Sequence, residues 1–245
     1  HILDQYNGDV YRQLDSDYRA LTLAAYAQAD RSLGEGVSLS AGMRVERRAA
    51  HYRDSNALRS APVDTMVGGH LALTWQLREG YTAYAALTRG YKAGGINPTA
   101  EDIPDSLRDF DPEFVWNLET GLATRSADGR FDGRSSLFYM RRYHQQVSSS
   151  VQVDPQNPLT FVLLTDNAAR GENFGVESQM GFRPVPSLRL GASIALLKAR
   201  FLEYQLEGRD LAGRDDPHAP NYQFGLSAEW RSPAGWFAHV EGQAV

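Results

Sequence analysis

Five side chains in this chain are suited to gripping a small charged ligand: Tyr91, Lys92 and Asn97 in one stretch, Tyr143 and His144 in another. An ammonium group pairs with anions, and aromatic rings hold cationic or planar groups against their faces. Packing at strand ends and within loops is the competing use of the same residue types. Asp215, Asp216 and His218 are spaced closely enough for a metal, and Glu101–Glu113 carries a cluster of carboxylates. Neither supplies a full ligand set of defined geometry. Solvated acidic loops are the expectation at both places, with no metal and no cofactor. Gly94-Gly95 reads as a turn, with too little around it to cradle a phosphate. There is no G-x-S-x-G elbow, P-loop or H-E-x-x-H, and the histidines at 1, 51, 70, 144, 218 and 239 are scattered. The chemistry on offer is binding, and the chain is not expected to be an enzyme.

The elements that must position these residues are strands. In 37–46, Val37, Leu39, Ala41, Met43 and Val45 fall on one face and Ser38, Ser40, Gly42, Arg44 and Glu46 on the other. Side chains alternate along a strand, so this period of two describes a sheet with one apolar and one polar face. The same pattern predicts strands over 18–30, 37–48, 64–77, 81–92, 114–125, 131–147, 175–183, 188–201, 221–231 and 236–245. Residues 1–17, 47–62, 94–111, 154–158 and the region of Asp210, Asp215 and Asp216 read as loops. Short turns at Gly34-Glu35-Gly36, Arg78-Glu79-Gly80, Ser126–Arg130, Pro184–Ser187 and Ser232–Gly235 join about ten strands into five hairpins. In 131–150 the faces are less distinct, with Leu137 and Tyr139 on one and Phe138 and Met140 on the other.

Composition narrows the partners. A net charge of −5 gives no reason to expect nucleic acid, and the absence of cysteine excludes disulfides and thiolate metal sites. The longest charge-free stretch, Thr65–Leu77, is too short and too polar for the roughly 20 residues of a transmembrane helix. Barrel strands hide their hydrophobicity in alternation, so a membrane remains open. Strands alternately joined by short turns and long loops suit a membrane-spanning barrel, as do Trp75, Tyr222, Trp230 and Trp236 at strand ends. A soluble all-β sandwich also alternates and would use those rings as core. Predicted segments of 12–16 residues exceed the usual five or six of globular sheets and favour the barrel.

At Tyr84–Pro98 the sequence reads Tyr-Ala-Ala-Leu-Thr-Arg-Gly-Tyr-Lys-Ala-Gly-Gly-Ile-Asn-Pro. This resembles the Y-x-x-x-S-R-G-Y-K-A-G-G-F-N segment of TonB-dependent receptors, with Thr88 and Ile96 as departures. Pro112-Glu113 through Asn117-Leu118-Glu119-Thr120-Gly121-Leu122 is similar to the family's P-E-x-x-x-x-Y-E-x-G-x-K. Phe138-Tyr139 resembles an F-Y strand, and Asn167-Ala168-Ala169 followed by Gly175-Val176-Glu177 resembles N-A-x…G-x-E. Leu211-Ala212-Gly213-Arg214 followed by Ala219-Pro220 resembles the late G-x-x-L-P-x-A-P region.

The resemblance covers nearly the whole chain and implies an all-β, antiparallel transmembrane β-barrel wall: about ten strands of an expected 22-stranded barrel. No plug domain and no TonB box is found in the sequence. Residues 1–245 thus read as an internal part of the barrel, one not expected to stand alone in a membrane because its sheet edges would be unpaired. The implied setting is the outer membrane of a Gram-negative bacterium, with outer-membrane lipid around the wall. The implied function is uptake of a scarce nutrient, foremost a ferric siderophore, energised by TonB–ExbB–ExbD acting through the plug. Tyr91, Lys92, Asn97, Tyr143 and His144 would then face an anionic or catecholate iron chelate from the extracellular side. A passive porin-like channel and a soluble β-rich binding module are the other readings.

Overall fold

The computed structural model describes residues 2–6, 9–99, 103–152, 156, 161–206, 209–217 and 219–245. In chain order the strands are β1 (Ile2–Tyr6), β2 (Asp9–Leu14), β3 (Ser16–Gly34), β4 (Val37–Asp54), β5 (Arg59–Ser60), β6 (Val63–Arg78), β7 (Tyr81–Lys92) and β8 (Gly95–Ile96). After a 3-10 turn at Asp105–Leu107 come β9 (Asp109–Phe110), β10 (Glu113–Arg125), β11 (Phe131–Gln152), β12 (Phe161–Val185), β13 (Leu188–Leu206), β14 (Arg209–Asp210), β15 (Tyr222–Arg231) and β16 (Phe237–Ala244). Ten of them form one antiparallel wall, with each strand beside its predecessor in the order β3-β4-β6-β7-β10-β11-β12-β13-β15-β16. All five short turns lie where the glycine and proline signals put them. Gly80 shows why one is needed: its φ is +76°, and a Cβ there would collide with the Arg125 carbonyl oxygen.

The register explains the alternation. Ala41, Leu71, Leu87, Leu118, Tyr139 and Phe174 meet in one row across six strands. Leu39, Leu73, Ala85, Thr120, Leu137, Val176 and Leu196 form the next row toward the short turns. Among the described residues no element covers this face: Leu137 is 55% exposed and Leu226 70%. From Phe131 to Tyr139 on β11, and from Phe182 to Phe174 on β12, nine residues pass with no charge on the outward side. That matches the roughly 9–11 residues a tilted strand needs to cross hydrocarbon.

Toward the long loops this apolar band ends in charge. The first charged outward residues are Arg19 on β3, Arg47 on β4, Arg89 on β7, Arg141 on β11, Glu172 on β12 and Lys198 on β13. Followed through the pairings, this line steps down relative to the hydrogen-bonded rows from β3 to β13. An oblique boundary is what tilted strands produce when they meet a flat interface.

The wall's strands run past that boundary, which corrects several sequence-based limits. Ile2–Tyr6 and Asp9–Leu14, expected as loop, pair as antiparallel strands β1 and β2. The polar stretch after Arg47 continues as β4 to Asp54 and pairs with β5. β11 extends to Gln152 and β12 begins at Phe161, some way before the expected Gly175. Above the interface no lipid keeps one face uniformly apolar, so polar side chains on both faces no longer signal a loop. Asp154, Pro155, Asn157 and Pro158 of the expected 154–158 loop lie outside the described residues. The buried cores also sit at this end. One holds Ile103, Val162 and Leu164 with Leu107 and Val151, and the other Ala169, Phe201 and Tyr204 with Val147, Ala168 and Leu211.

On the opposite, polar face, rings lie over cross-strand glycines. Tyr84 covers Gly121 and hydrogen-bonds Glu119; Phe138 covers Gly175. An aromatic filling the space above a glycine pins register where no apolar core does so. This accounts for the mixed faces of 131–150. Leu137 and Tyr139 look outward, while Phe138 faces inward because Gly175 makes room for it.

Candidate functional site

β7 leaves β6 at Gly69↔Arg89 but follows β10 to Lys92↔Glu113, opening the wall just above its last rows. By alternation Tyr91 belongs with Phe114 on the outward side. Its ring instead lies over Gly68, where a Cβ would come within 2.9 Å. The Tyr91 hydroxyl accepts from Arg44 Nε at 3.0 Å and donates to Glu46 at 3.1 Å, and Arg44 and Glu46 pair at 2.6 Å. Next to them Arg48 donates to the Gly94 carbonyl at 2.8 Å and to the Tyr18 hydroxyl. Burial pushes the Asp64 carboxyl, beyond the charge boundary, upward, against the opposing pull of Arg48 and the Gly94 N–H.

Lys92 is exposed on the polar side. Its register partner Glu113 is buried and engaged elsewhere, pairing with Arg142 at 2.7 Å and accepting the Gln146 N–H at 2.9 Å. Among the described residues Lys92 has no carboxylate partner, so its charge faces solvent unneutralised.

Asn97 is 5% exposed and fully engaged. Its Nδ2 donates to the Leu107 and Thr165 carbonyls at 2.7 Å each, and its Oδ1 accepts the Thr165 N–H at 2.8 Å. Its own N–H donates to Arg108 O at 2.7 Å. Asn167 repeats the theme, accepting the Asp111 N–H at 2.6 Å and donating to the Asp111 and His144 carbonyls. These two asparagines clamp the β7–β10 loop onto the extensions of β11 and β12.

Tyr143 and His144 stand level with Tyr91, because Phe114 pairs with both Tyr91 and Tyr143. They group on the outward side with Phe114, which stacks on Tyr143 at 5.1 Å and lies 5.8 Å from His144. His144 has φ +51° at a bulge between Arg142 and Gln145. That bulge turns Gln145 and Gln146 toward the loops. Tyr91, Lys92, Tyr143 and His144 therefore share a height, while Asn97 stands beyond them, bonded to Thr165 opposite Ser148, and the five do not converge. Tyr91 and Lys92 adjoin the polar face, Asn97 is inside the loop clamp, and Tyr143 and His144 lie on the outer rim.

Of the acidic candidates, Asp215 is exposed and pairs with Lys198 at 2.6 Å, and Asp216 lies 3.7 Å from Arg142. His218, Glu101 and Asp102 lie outside the described residues. In the remainder of that second cluster, Asp105 pairs with Arg108 and Asp109 accepts from Ser60. Sequence reasoning gave no role to Arg48 or Arg142, and placed Glu113 only in an acidic cluster and a family motif. The charges of Arg44 and Glu46 on the polar parity of a strand were the available signal for that array.

Residues 2–244 match the family of TonB dependent receptor-like β-barrels. Among solved structures, the ferric yersiniabactin uptake receptor FyuA of Yersinia pestis is similar over 98% of this chain and 35% of its own, with a TM-score of 0.74 and 21% identity. The ferric-catecholate import receptor Fiu of E. coli K12 gives 0.69 and 13% over 93% and 34%. The copper transporter OprC gives 0.70 and 15% over 93% and 35%. The chain thus spans about a third of the length of these proteins. With a wall of this topology and a match over almost every residue, the chain belongs to the TonB-dependent receptor β-barrel family.

Proposed function

We propose that this chain forms part of the channel wall of an outer-membrane receptor that imports a ferric siderophore, driven through TonB. Family membership over residues 2–244 is the observation that carries this reading. Two features of the rim support an anionic chelate as cargo. Lys92 presents an unneutralised ammonium, and Tyr91, Arg44 and Glu46 form a polar array beside it. In this reading Lys92 meets the ligand, Tyr91 holds the polar array beside it in place, Asn97 holds the loop that shapes the entrance, and Tyr143 and His144 brace the outer rim.

The test is uptake of radiolabelled iron chelates by cells whose only such receptor is the full-length protein. Uptake that stops when TonB is deleted, together with weaker chelate binding by Lys92→Gln, is expected. Equal transport with and without TonB would instead mark a passive channel.

A further inference from the structure

On the outward face, Arg89 of β7, Trp116 of β10 and Arg141 of β11 occupy one row at the loop-side edge of the apolar band. Phe114 and Tyr143 lie in the next row toward the loops. The Arg89 guanidinium sits 4.5 Å from the Phe114 ring and 5.9 Å from Trp116. Arg141 and Arg170 flank the Tyr143 ring at 6.0 and 5.2 Å.

The nearby carboxylates are already matched. Glu172 pairs with Arg200 at 2.5 Å, Glu203 with Arg170 at 2.7 Å and Asp215 with Lys198 at 2.6 Å. Among the described residues neither Arg89 nor Arg141 forms an ion pair with a carboxylate within 4 Å; Glu172, the register partner of Arg141, feels its charge but is bonded to Arg200 and Tyr139. Arg89 reaches only the Val67 carbonyl, and the Arg141 Nε is shut off from solvent with no acceptor. Two strand spacings separate their backbones, about 10 Å, which two flexible guanidinium arms can close onto one anion.

We propose that Arg89 and Arg141, framed by Phe114, Trp116 and Tyr143, bind the phosphate head group of a membrane lipid. The proposal rests on the apolar band facing lipid. Its depth selects a lipid over a free ion. One row below, Leu87, Leu118, Tyr139 and Phe174 offer an apolar surface for acyl chains, while the guanidiniums stand at head-group level. Aromatic faces orient the guanidiniums and leave their N–H edges for the phosphate, which takes bidentate donors well.

The test is native mass spectrometry of the full-length receptor in mild detergent, titrated with phosphatidic acid, phosphatidylcholine or inorganic phosphate. Phosphatidic acid is expected to bind better than phosphatidylcholine, more weakly as salt rises, and without displacement by millimolar inorganic phosphate. R89Q/R141Q is expected to weaken phosphatidic acid binding roughly tenfold or more, as losing charged hydrogen bonds implies. R31Q, on the same face near the short turns, leaves it unchanged. Equal affinity of wild type for the two lipids, or an unchanged R89Q/R141Q, overturns the proposal. Full competition by inorganic phosphate overturns the lipid assignment. The salt series on wild type needs no variant to fold, and heat-modifiable migration with chelate uptake reports separately on the barrel and its transport.

Discussion

Asn97→Ala removes one side chain that makes three hydrogen bonds to the backbone of two other segments, at 2.7, 2.7 and 2.8 Å. Each contributes a net ~1 kcal/mol, and the Thr165 N–H is left without its partner at a position the loop shields from water. The expected cost is about 3 kcal/mol, felt by the loop and the β11–β12 extension rather than by the wall below. Since about 1.4 kcal/mol is a factor of ten, amide exchange at Thr165 and over 103–112 is expected to speed up about a hundredfold. Exchange in the apolar band should stay as it was. Hydrogen exchange on the receptor in detergent reads this directly. Asn97→Asp sharpens the test, because it keeps an acceptor for Thr165 but sets a carboxylate against two carbonyls, and it is expected to open the loop at least as far. If Thr165 exchange changes less than about twofold, or the whole wall accelerates together, Asn97 is not a clamp and the reasoning fails.

Leu137→Arg puts a charge in the middle of the outward run, at a cost of about 2–4 kcal/mol near a bilayer midplane. It is expected to reduce the heat-resistant folded band sharply, whereas Ser136→Arg, on the polar face next door, leaves it close to wild type; equal losses would contradict the face assignment. His144 has φ +51°, so His144→Gly is expected to keep or slightly raise stability, and His144→Val to cost about 1–2 kcal/mol in denaturant titrations. In the β10–β11 turn, the Ser126 hydroxyl and the Arg130 N–H hold the Asp128 carboxyl below the usual carboxylate range. A depressed folded value stabilises the turn above the unfolded pKa of about 3.9 and loses that effect as pH falls through the lower folded value. Protection of the Arg130 N–H, taken relative to its intrinsic exchange rate at each pH, is therefore expected to fall from pH 5 downward in wild type and to be nearly flat in Asp128→Asn.

The wall was legible because hydrocarbon constrains it. Wherever one face meets lipid, alternation is strict, and the strands, their five short turns and the outward set from Val37 to Leu196 followed from it. Legibility stopped at the interface. Arg47 to Asp54 is as regular a strand as Val37 to Val45, yet with no lipid to keep one face apolar, and only Ala50 and Tyr52 buried, nothing in the residue types announces it. The inward aromatics were ambiguous for another reason. Phe138 is placed by Gly175 on the adjacent strand, a pairing whose register no local pattern contains. The rim failed in a third way. Tyr91, Lys92, Asn97, Tyr143 and His144 were singled out by residue type and height; the register puts Tyr91, Lys92, Tyr143 and His144 level, but Asn97 stands beyond them, and face and burial separate the rest. The departure of β7 from β6, the bulge at His144 and the closure of the loop over Asn97 decide those, and each is a tertiary event.

This separation bears on where cargo recognition can reside. The stretch Tyr84–Pro98 and the segment beginning at Pro112-Glu113 resemble family motifs, and in the structure most of their polar residues serve the scaffold. Tyr84 closes on Glu119, Tyr91 on Arg44 and Glu46, Glu113 on Arg142 and Gln146, and Asn97 on Leu107 and Thr165. A residue engaged on every side by its own protein has little left with which to tell one chelate from another. Lys92 differs within the same motif, since its charge is unmatched, and a lone exposed ammonium reads negative charge rather than shape. Under the function proposed above, discrimination between chelates would fall to side chains outside the motifs, carried on the β11–β12 extension and the loop clamped to it. Because that loop is pinned at Asn97 and Asn167, such side chains would be held in place before the ligand arrives, and substitutions among them are expected to change chelate affinity without changing the fold.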